Sequence, residues 1–154
     1  MNKRETVQAF MDAVQKGEFD FASSMLTDDF EFRGPIPEPI NKKTWLEMSV
    51  NLKAAFPDLN YHFKAIGTDG DIVKSTTQLS GTHTGTLDLS SMSLGSTPAT
   101  NIPVSVKMAK TRITVKDDMI TLWADEPVDG AGLTAILGQL GVKTASKMSL
   151  AGLN

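Results

Sequence analysis

The first third of the chain places apolar residues three or four positions apart, which is the spacing of amphipathic helices. Asn2 and Glu5 have the arrangement of a capping box, so a first helix is predicted to begin there. A short second helix is predicted over about 19–26, and a third over about 41–56. The helical residues predicted to pack against a sheet are Val7, Phe10, Met11, Val14, Trp45, Met48, Leu52 and Phe56.

From Leu59 onward the apolar period changes from helical to two, which indicates β-strands. The predicted strands cover about 28–32, 59–66, 72–81, 104–115 and 119–125. The pair Asp69-Gly70 favours a hairpin turn, and a short helix is predicted over about 130–140. Because helices come first and strands later, without βαβ alternation, the predicted class is α+β with an antiparallel sheet.

Length and composition exclude several classes of protein. The 154 residues fit one domain, which we predict over 1–142, followed by a C-terminal tail over 143–154. The chain has no cysteine, which excludes a disulfide scaffold, a thiol nucleophile and a cysteine zinc site. The net charge is -3 and the basic residues are scattered, so no nucleic-acid partner is expected. Since Met1–Lys16 lacks a secretory leader pattern and no apolar run could span a bilayer, we expect a cytoplasmic protein without membrane contact.

Motifs that bind cofactors or metals are not found in the sequence. There is no glycine-rich phosphate loop, no HExxH and no GxSxG. His62 and His83 lack the ordered spacing of metal ligands. Neither a cofactor nor a metal site is therefore predicted.

A carboxylate at the end of the last predicted strand is the main catalytic candidate. Trp123 and Asp125 share a face of that strand because strand side chains alternate. If this face lines a pocket, the apolar surroundings raise the pKa of Asp125 and make it a usable general base. The alternative is a solvated acidic strand end before the turn that contains Pro127.

The pentapeptide Gly81–Gly85 (GTHTG) is the second candidate. Its glycines are typical of a bend at the rim of a sheet, and such a bend could point His83 toward a ligand at the pocket mouth. Further candidates for ligand binding are Tyr61, Gln78, Trp123 and Glu126. Tyr61 and Gln78 could instead be core residues whose polar ends find a neighbour or water.

Several of these segments follow one another in a familiar order. They are Phe10 in the opening helix, Phe56–Asp58, the turn before Val73, Gly81–Gly85, Pro98–Asn101, Trp123 with its acidic neighbours, and Leu137–Gly141. Together they resemble the SnoaL-like polyketide cyclase family, within the nuclear transport factor 2-like (cystatin-like) superfamily. The resemblance extends from about Glu5 to Val142. Its most specific parts are GTHTG, the tryptophan–acid step and the late QLG.

This resemblance implies a fold and a chemistry. The fold is a cone-shaped α+β barrel, in which short helices pack into a strongly curved antiparallel sheet and a pocket lies at the open end. Members are commonly homodimers that pair through the sheet. The named cyclases close a ring by an intramolecular aldol reaction, with one aspartate as acid and base and without metal or organic cofactor. In this chain that aspartate would be Asp125, with Glu126 and Asp129 as rivals.

Three functions are compatible with the sequence. The first is a cofactor-free acid–base enzyme, of the cyclase or isomerase type, that acts on a small apolar carbonyl compound. The second is a non-catalytic protein that binds a small apolar molecule in the same pocket, and the third is a dimeric interaction module. An acid that titrates near neutral pH in the pocket distinguishes the first from the second, and a closed cavity distinguishes both from the third.

Overall fold

The architecture is that of a computed structural model, which describes residues 2–34, 39–90, 95–126 and 128–141. Its helices are α1 (Lys3–Lys16), α2 (Phe19–Ser24), α3 (Lys42–Ala55) and α4 (Gly132–Gln139). Its strands are β1 (Leu26–Arg33), β2 (Ile40–Asn41), β3 (Lys64–Asp69), β4 (Ile72–Thr77), β5 (Ser80–Thr82), β6 (Leu87–Asp88), β7 (Ser96–Thr97), β8 (Pro103–Ser105), β9 (Ala109–Lys116) and β10 (Met119–Asp125). The predicted tail over 143–154 lies outside the described residues.

Six strands form the main sheet, in the order β2-β1-β10-β9-β4-β3. All neighbours in it are antiparallel except β1 and β10, which are parallel. The predicted antiparallel sheet thus contains one parallel pair, since most of the chain separates these two strands and no hairpin sets their direction. The α+β class, with short helices packed in a curved and mainly antiparallel sheet, is confirmed.

Side-chain caps fix where α1 and α3 begin. Asn2 Oδ1 accepts the N–H of Glu5 at 2.8 Å, which is one of the two bonds of the predicted capping box. Glu5 Oε1 accepts from the side-chain amide of Asn2 at 2.8 Å instead of from its backbone N–H. Asn41 Oδ1 accepts the N–H of Thr44 at 2.9 Å, so α3 begins immediately after this residue. The predicted starts of both helices are confirmed.

One predicted strand is shortened and two are divided. His62 has a φ of 44°, which interrupts the extended backbone, so the strand predicted over 59–66 begins only at Lys64. The strand predicted over 72–81 is divided into β4 and β5, and that predicted over 104–115 into β8 and β9. The reason is that β5 and β8 pair with each other in a small sheet of their own.

The buried apolar residues that the structure describes form two clusters. The first lies between α1, the beginning of α3 and the main sheet, and it includes Phe10 and Trp45 with ring centroids 5.6 Å apart. The second joins the end of α3 to α4 and to the segment around β6, and it includes Phe56 and Leu137. The residues predicted to pack against the sheet are all buried except Met48, which is half-buried and contacts both clusters.

The pentapeptide Gly81–Gly85 folds against the end of α3. The N–H groups of Thr84 and Gly85 donate to the carbonyl of Ala55 at 3.1 and 3.0 Å, which pairs a carbonyl that the helix itself leaves free. A Cβ at Gly85 would collide with the carbonyl oxygen of Ala54, so this close approach requires glycine. The motif therefore fixes the C-terminus of α3.

Candidate functional site

A cavity of about 150 Å³ lies between α3, the inner face of the main sheet and the beginning of α4. Its wall is mostly apolar. Trp45 and Met48 contribute from α3, Ala109 and Trp123 from the sheet, and Leu133 from α4. Any polar side chain in this wall therefore meets a ligand in largely apolar surroundings.

Strand pairing places a row of polar side chains across the sheet. Asp125 of β10 pairs with Thr111 of β9, and Thr111 pairs with Ser75 of β4. Directly opposed residues of antiparallel strands point to the same face, so the three side chains share the inner face. Ser75 and Thr111 are buried, and their hydroxyl oxygens are 2.5 Å apart. Trp123 lies on the same face, about 7 Å further from the end of the strand.

Asp125 lies in the cavity wall beside Trp123. The indole Nε1–H donates to Asp125 Oδ1 at 2.7 Å. Burial raises the pKa of Asp125 from its ordinary 3.8 to about 6, while the indole hydrogen bond opposes part of that rise. A carboxyl group with this pKa gains and loses a proton near neutral pH, which a general acid–base requires. The side chain is thus not a solvated strand end.

The two rival acids are more exposed. Glu126 also borders the cavity, but it is exposed, and its Oε1 lies 3.8 Å from Arg112 Nε. The backbone N–H of Glu126 donates to the Lys110 carbonyl at 2.9 Å, which continues the pairing of β9 and β10. Asp129 is exposed and does not belong to the described part of the wall. The geometry favours Asp125 over both.

Tyr61 lines the cavity from the segment between α3 and β3. Its backbone is held on both sides, because its N–H donates to Gln15 Oε1 at 2.9 Å and its carbonyl accepts the N–H of Gln78 at 2.8 Å. Burial raises the pKa of Tyr61, so the phenol stays protonated and can donate a hydrogen bond at neutral pH. Gln78 supports Tyr61 through its backbone, and its side chain is not part of the described wall.

His83 lies outside the described cavity wall, so the expectation that it sits at the pocket mouth is corrected. The side chain is fully buried and stacks on Phe56, with ring centroids 5.2 Å apart. Its Nδ1 is 2.9 Å from Thr100 Oγ1, and its Nε2 has no hydrogen-bond partner among the described residues. Burial lowers the pKa of His83, which favours the neutral ring. The physical reason is that the pentapeptide turns toward the end of α3 and carries the imidazole into the second cluster.

Sequence reasoning missed the rim of the cavity. Lys107 lines it from the link between β8 and β9, and its N–H donates to the Gly130 carbonyl at 2.7 Å. A Cβ at Gly130 would lie 3.0 Å from Lys107 Cδ, so the segment before α4 packs closely on this lysine. Val128 completes this side of the wall. The signal in the sequence is Gly130 itself, whose φ of 85° suits glycine, but it does not identify the partner.

Two further findings concern metals and membranes. Within the described ranges, no group of three or more His, Asp or Glu side chains could hold a metal ion. His62 is exposed, with Nδ1 2.6 Å from the Gln78 carbonyl oxygen. In the same part of the chain, no helix combines the length and apolar character needed to cross a membrane.

Comparison with protein families identifies one match. The model of the SnoaL-like polyketide cyclase family matches residues 4–121. This segment ends before Trp123 and Asp125. The position of the Asp125 carboxylate in the cavity therefore rests on its hydrogen bond to Trp123 and on the cavity wall. No curated protein matches this chain.

Solved structures with the same fold come from several bacteria. IdmH from Streptomyces antibioticus has a TM-score of 0.69 and 20% identity, over 92% of this chain and 100% of that chain. A SnoaL-like polyketide cyclase from Agrobacterium tumefaciens has a TM-score of 0.63 and 17% identity, over 92% and 99%. An uncharacterized cystatin-fold protein from Novosphingobium aromaticivorans has a TM-score of 0.61 and 17% identity, over 82% and 99%. At these identities the similarity shows the fold alone.

Proposed function

Because this chain belongs to the SnoaL-like polyketide cyclase family, we propose that it catalyses a cofactor-free acid–base reaction on a small apolar carbonyl compound. The reaction is of the cyclase or isomerase type. The observation that carries the proposal is Asp125, a carboxylate in a mostly apolar cavity wall with its pKa raised to about 6. Such a group can take up and return a proton within one catalytic cycle.

In the proposed reaction, the Asp125 carboxylate takes a proton from the carbon next to the substrate carbonyl. The C–H electron pair moves onto the carbonyl oxygen and forms an enolate. In a cyclase, the enolate carbon attacks a second carbonyl of the same molecule, and Asp125 returns the proton to the new alkoxide. In an isomerase, the proton returns to a different carbon. Trp123 Nε1–H holds Asp125 Oδ1 at 2.7 Å and so orients the carboxylate.

Tyr61 supports the same step from another part of the wall. Its phenol is protonated at neutral pH because burial raises its pKa. A neutral donor next to the developing enolate oxygen stabilises the charge that forms there. We therefore assign Tyr61 the role of hydrogen-bond donor to the substrate oxygen.

The test is proton exchange on a ketone probe. Cyclohexanone in D₂O with the protein should exchange the hydrogens next to its carbonyl, as followed by proton NMR, and the rate should rise as the pH passes through about 6. Asp125→Asn should lower the rate by roughly 10²–10⁴ without abolishing binding. Glu126→Gln is the matched control, because Glu126 is the neighbouring carboxylate but is exposed. Equal rates for Asp125→Asn and the wild type would disprove the proposed role.

The second candidate is a binding protein without turnover. The mostly apolar wall would bind an apolar ligand as well as it would bind an apolar substrate, so it favours both functions equally. Tight binding of the probe without any exchange above the buffer rate would support it.

We also propose that two copies pair through the outer face of the main sheet. On β9 the side chains opposite to the inner row are polar or charged: Lys110, Arg112, Thr114 and Lys116. On β10, Leu122 is half-buried beside them. Such a face would make a mixed, moderately polar interface.

A further inference from the structure

Three side chains of the described cavity wall carry a hydroxyl group: Ser49, Tyr61 and Thr77. The Ser49 hydroxyl is already paired, because it donates to the Trp45 carbonyl at 2.9 Å within α3. Tyr61 is the proposed donor to the substrate carbonyl. The Thr77 hydroxyl has no hydrogen-bond partner among the described residues, and the proposed reaction does not use it.

Strand pairing directs the Thr77 side chain into the cavity. Thr77 is the last residue of β4 and pairs with Ala109 of β9, which also lines the wall. Because side chains alternate along a strand, Thr77 shares the inner face with the buried Ser75. The cross-strand neighbour Ala109 ends in a methyl group, which is too short to cover the hydroxyl and cannot pair with it. The Thr77 hydroxyl therefore stays available to a ligand.

Thr77 and Asp125 occupy different parts of the wall. Asp125 pairs with Thr111 of β9, and Ala109 lies two residues from Thr111 on the same strand. Thr77 is therefore two strands and two residues away from Asp125, which corresponds to roughly 12 Å between their Cα atoms. The pKa of Asp125 responds to burial and to the Trp123 hydrogen bond, and Thr77 does not contribute to it. A ligand whose reacting carbon lies at Asp125 can thus place another of its atoms at Thr77.

We propose that Thr77 is a specificity-determining residue of the cavity: its hydroxyl donates a hydrogen bond to a second oxygen of the ligand, while Tyr61 binds the first. An apolar group over Thr77 would remove the hydroxyl from water without giving it a partner, which lowers the affinity by about 5- to 150-fold. An oxygen at the same place accepts the hydrogen bond and avoids this penalty. The part that Tyr61 plays rests on the proposed function, whereas the selection by Thr77 follows from the wall alone.

The experiment compares cyclohexanone, which has one oxygen, with 3-hydroxycyclohexanone and cyclohexane-1,4-dione, which carry a second oxygen at different positions. Trp45 and Trp123 are the two tryptophans of the chain and both line the cavity, so a saturable change in tryptophan fluorescence reports binding. A titration of N-acetyltryptophanamide corrects for collisional quenching by the ketones. We expect the full-length wild type to bind at least one of the two oxygenated probes roughly fivefold or more tightly than cyclohexanone.

Three variants separate the hydroxyl from the shape of the side chain. Thr77→Val replaces the hydroxyl by a methyl group, so it should lower the affinity for the preferred probe by roughly fivefold or more and leave the affinity for cyclohexanone unchanged or raised. Thr77→Ser keeps the hydroxyl and should keep the preference. Thr76→Val is the matched control, because Thr76 is half-buried on the same strand but pairs with Lys110 on the outer face. It should leave all three affinities nearly unchanged.

Each outcome decides the proposal. Wild-type protein that binds cyclohexanone as tightly as both oxygenated probes would overturn it, as would a Thr77→Val variant that lowers all affinities alike or the absence of a saturable response to every probe. A loss of preference in Thr77→Val that Thr77→Ser does not share would support it. If Thr77→Val does not fold, Thr77→Ala removes the same hydroxyl and the same comparison decides. Preference for an oxygenated probe without proton exchange on any ketone would refute the proposed enzymatic function and leave the role of Thr77 intact.

Discussion

Replacing Asp125 by asparagine is expected to stabilise the fold at neutral pH while it removes the proposed base. The pKa of Asp125 is about 6 in the folded protein against an ordinary 3.8. The folded state therefore binds this proton more tightly than the unfolded chain does. Protonation of Asp125 therefore stabilises the folded state. This effect is fully present below about pH 3.8 and is lost as the pH rises through about 6.

The size of the effect follows from the two pKa values. The difference between 3.8 and about 6 corresponds to about 3 kcal/mol of folding free energy. This is an upper limit, because water that enters the cavity screens the carboxylate. Asparagine keeps an oxygen that can accept the Trp123 indole hydrogen bond, and it carries no charge to bury. Above about pH 6 the variant therefore avoids the free-energy cost of burying the charged carboxylate, which destabilises the wild type.

The measurement is urea unfolding, followed by tryptophan fluorescence, at a series of pH values from about 4 to about 8. The free-energy difference between Asp125→Asn and the wild type should grow in favour of the variant across this range and level off above about pH 6. Burial lowers the pKa of His83, so His83 destabilises the fold as the pH falls below 6.5. Both proteins contain His83, and the comparison cancels its contribution.

The control is Glu126→Gln, which removes a charge one residue away at an exposed position. It should leave the pH dependence of the wild type almost unchanged. A difference between Asp125→Asn and the wild type that does not vary with pH would refute the reasoning. It would mean that Asp125 is solvated in the folded protein.

Three further predictions concern the core, the buried histidine and assembly. Phe10→Ala should lower the free energy of unfolding by roughly 3–5 kcal/mol because the ring is fully buried. Phe21→Ala is the control, and it should hardly change the free energy of unfolding because its side chain is 52% exposed. Similar thermal melts for the two variants would contradict the core assignment. His83→Ala should destabilise the fold by roughly 2–4 kcal/mol and leave the affinity for cyclohexanone unchanged. A loss of affinity without a loss of stability would instead mean that His83 belongs to the binding site. Sedimentation at micromolar concentration should show a dimer that Arg112→Glu weakens, and a monomer alone would count against pairing through the sheet.

The parts of the fold that depend on neighbouring residues could be predicted from the sequence. Asn2 and Glu5 form their two hydrogen bonds within one helical turn, so the start of α1 needs no information from the rest of the chain. Strand alternation likewise places Trp123 and Asp125 on one face. The hydrogen bond between them, at 2.7 Å, is a consequence of that local spacing.

The parts that depend on distant contacts could not be predicted. GTHTG fits a bend at a sheet rim, but the carbonyl of Ala55 that receives Thr84 and Gly85 lies in a helix far earlier in the chain. The direction in which His83 points follows from that contact. The same holds for Lys107 and Gly130, whose backbone hydrogen bond builds the cavity rim. Periodicity describes which side of an element is apolar, and it does not identify the element that covers it.

The parallel pairing of β1 with β10 has a consequence for how the protein is made. Leu26 pairs with Ile120 and Phe32 with Trp123. An early segment of the chain therefore pairs with a segment that is synthesised almost last. During synthesis β1 can pair with β2 early, but its other edge stays unpaired until β10 has left the ribosome. Closing so long a loop costs entropy before the pairing is formed, which slows folding. Because Asp125 lies at the end of β10, the cavity gains this carboxylate only when β10 joins the sheet. A nascent chain that stops short of β10 has neither the strand that joins β1 to β9 nor Asp125.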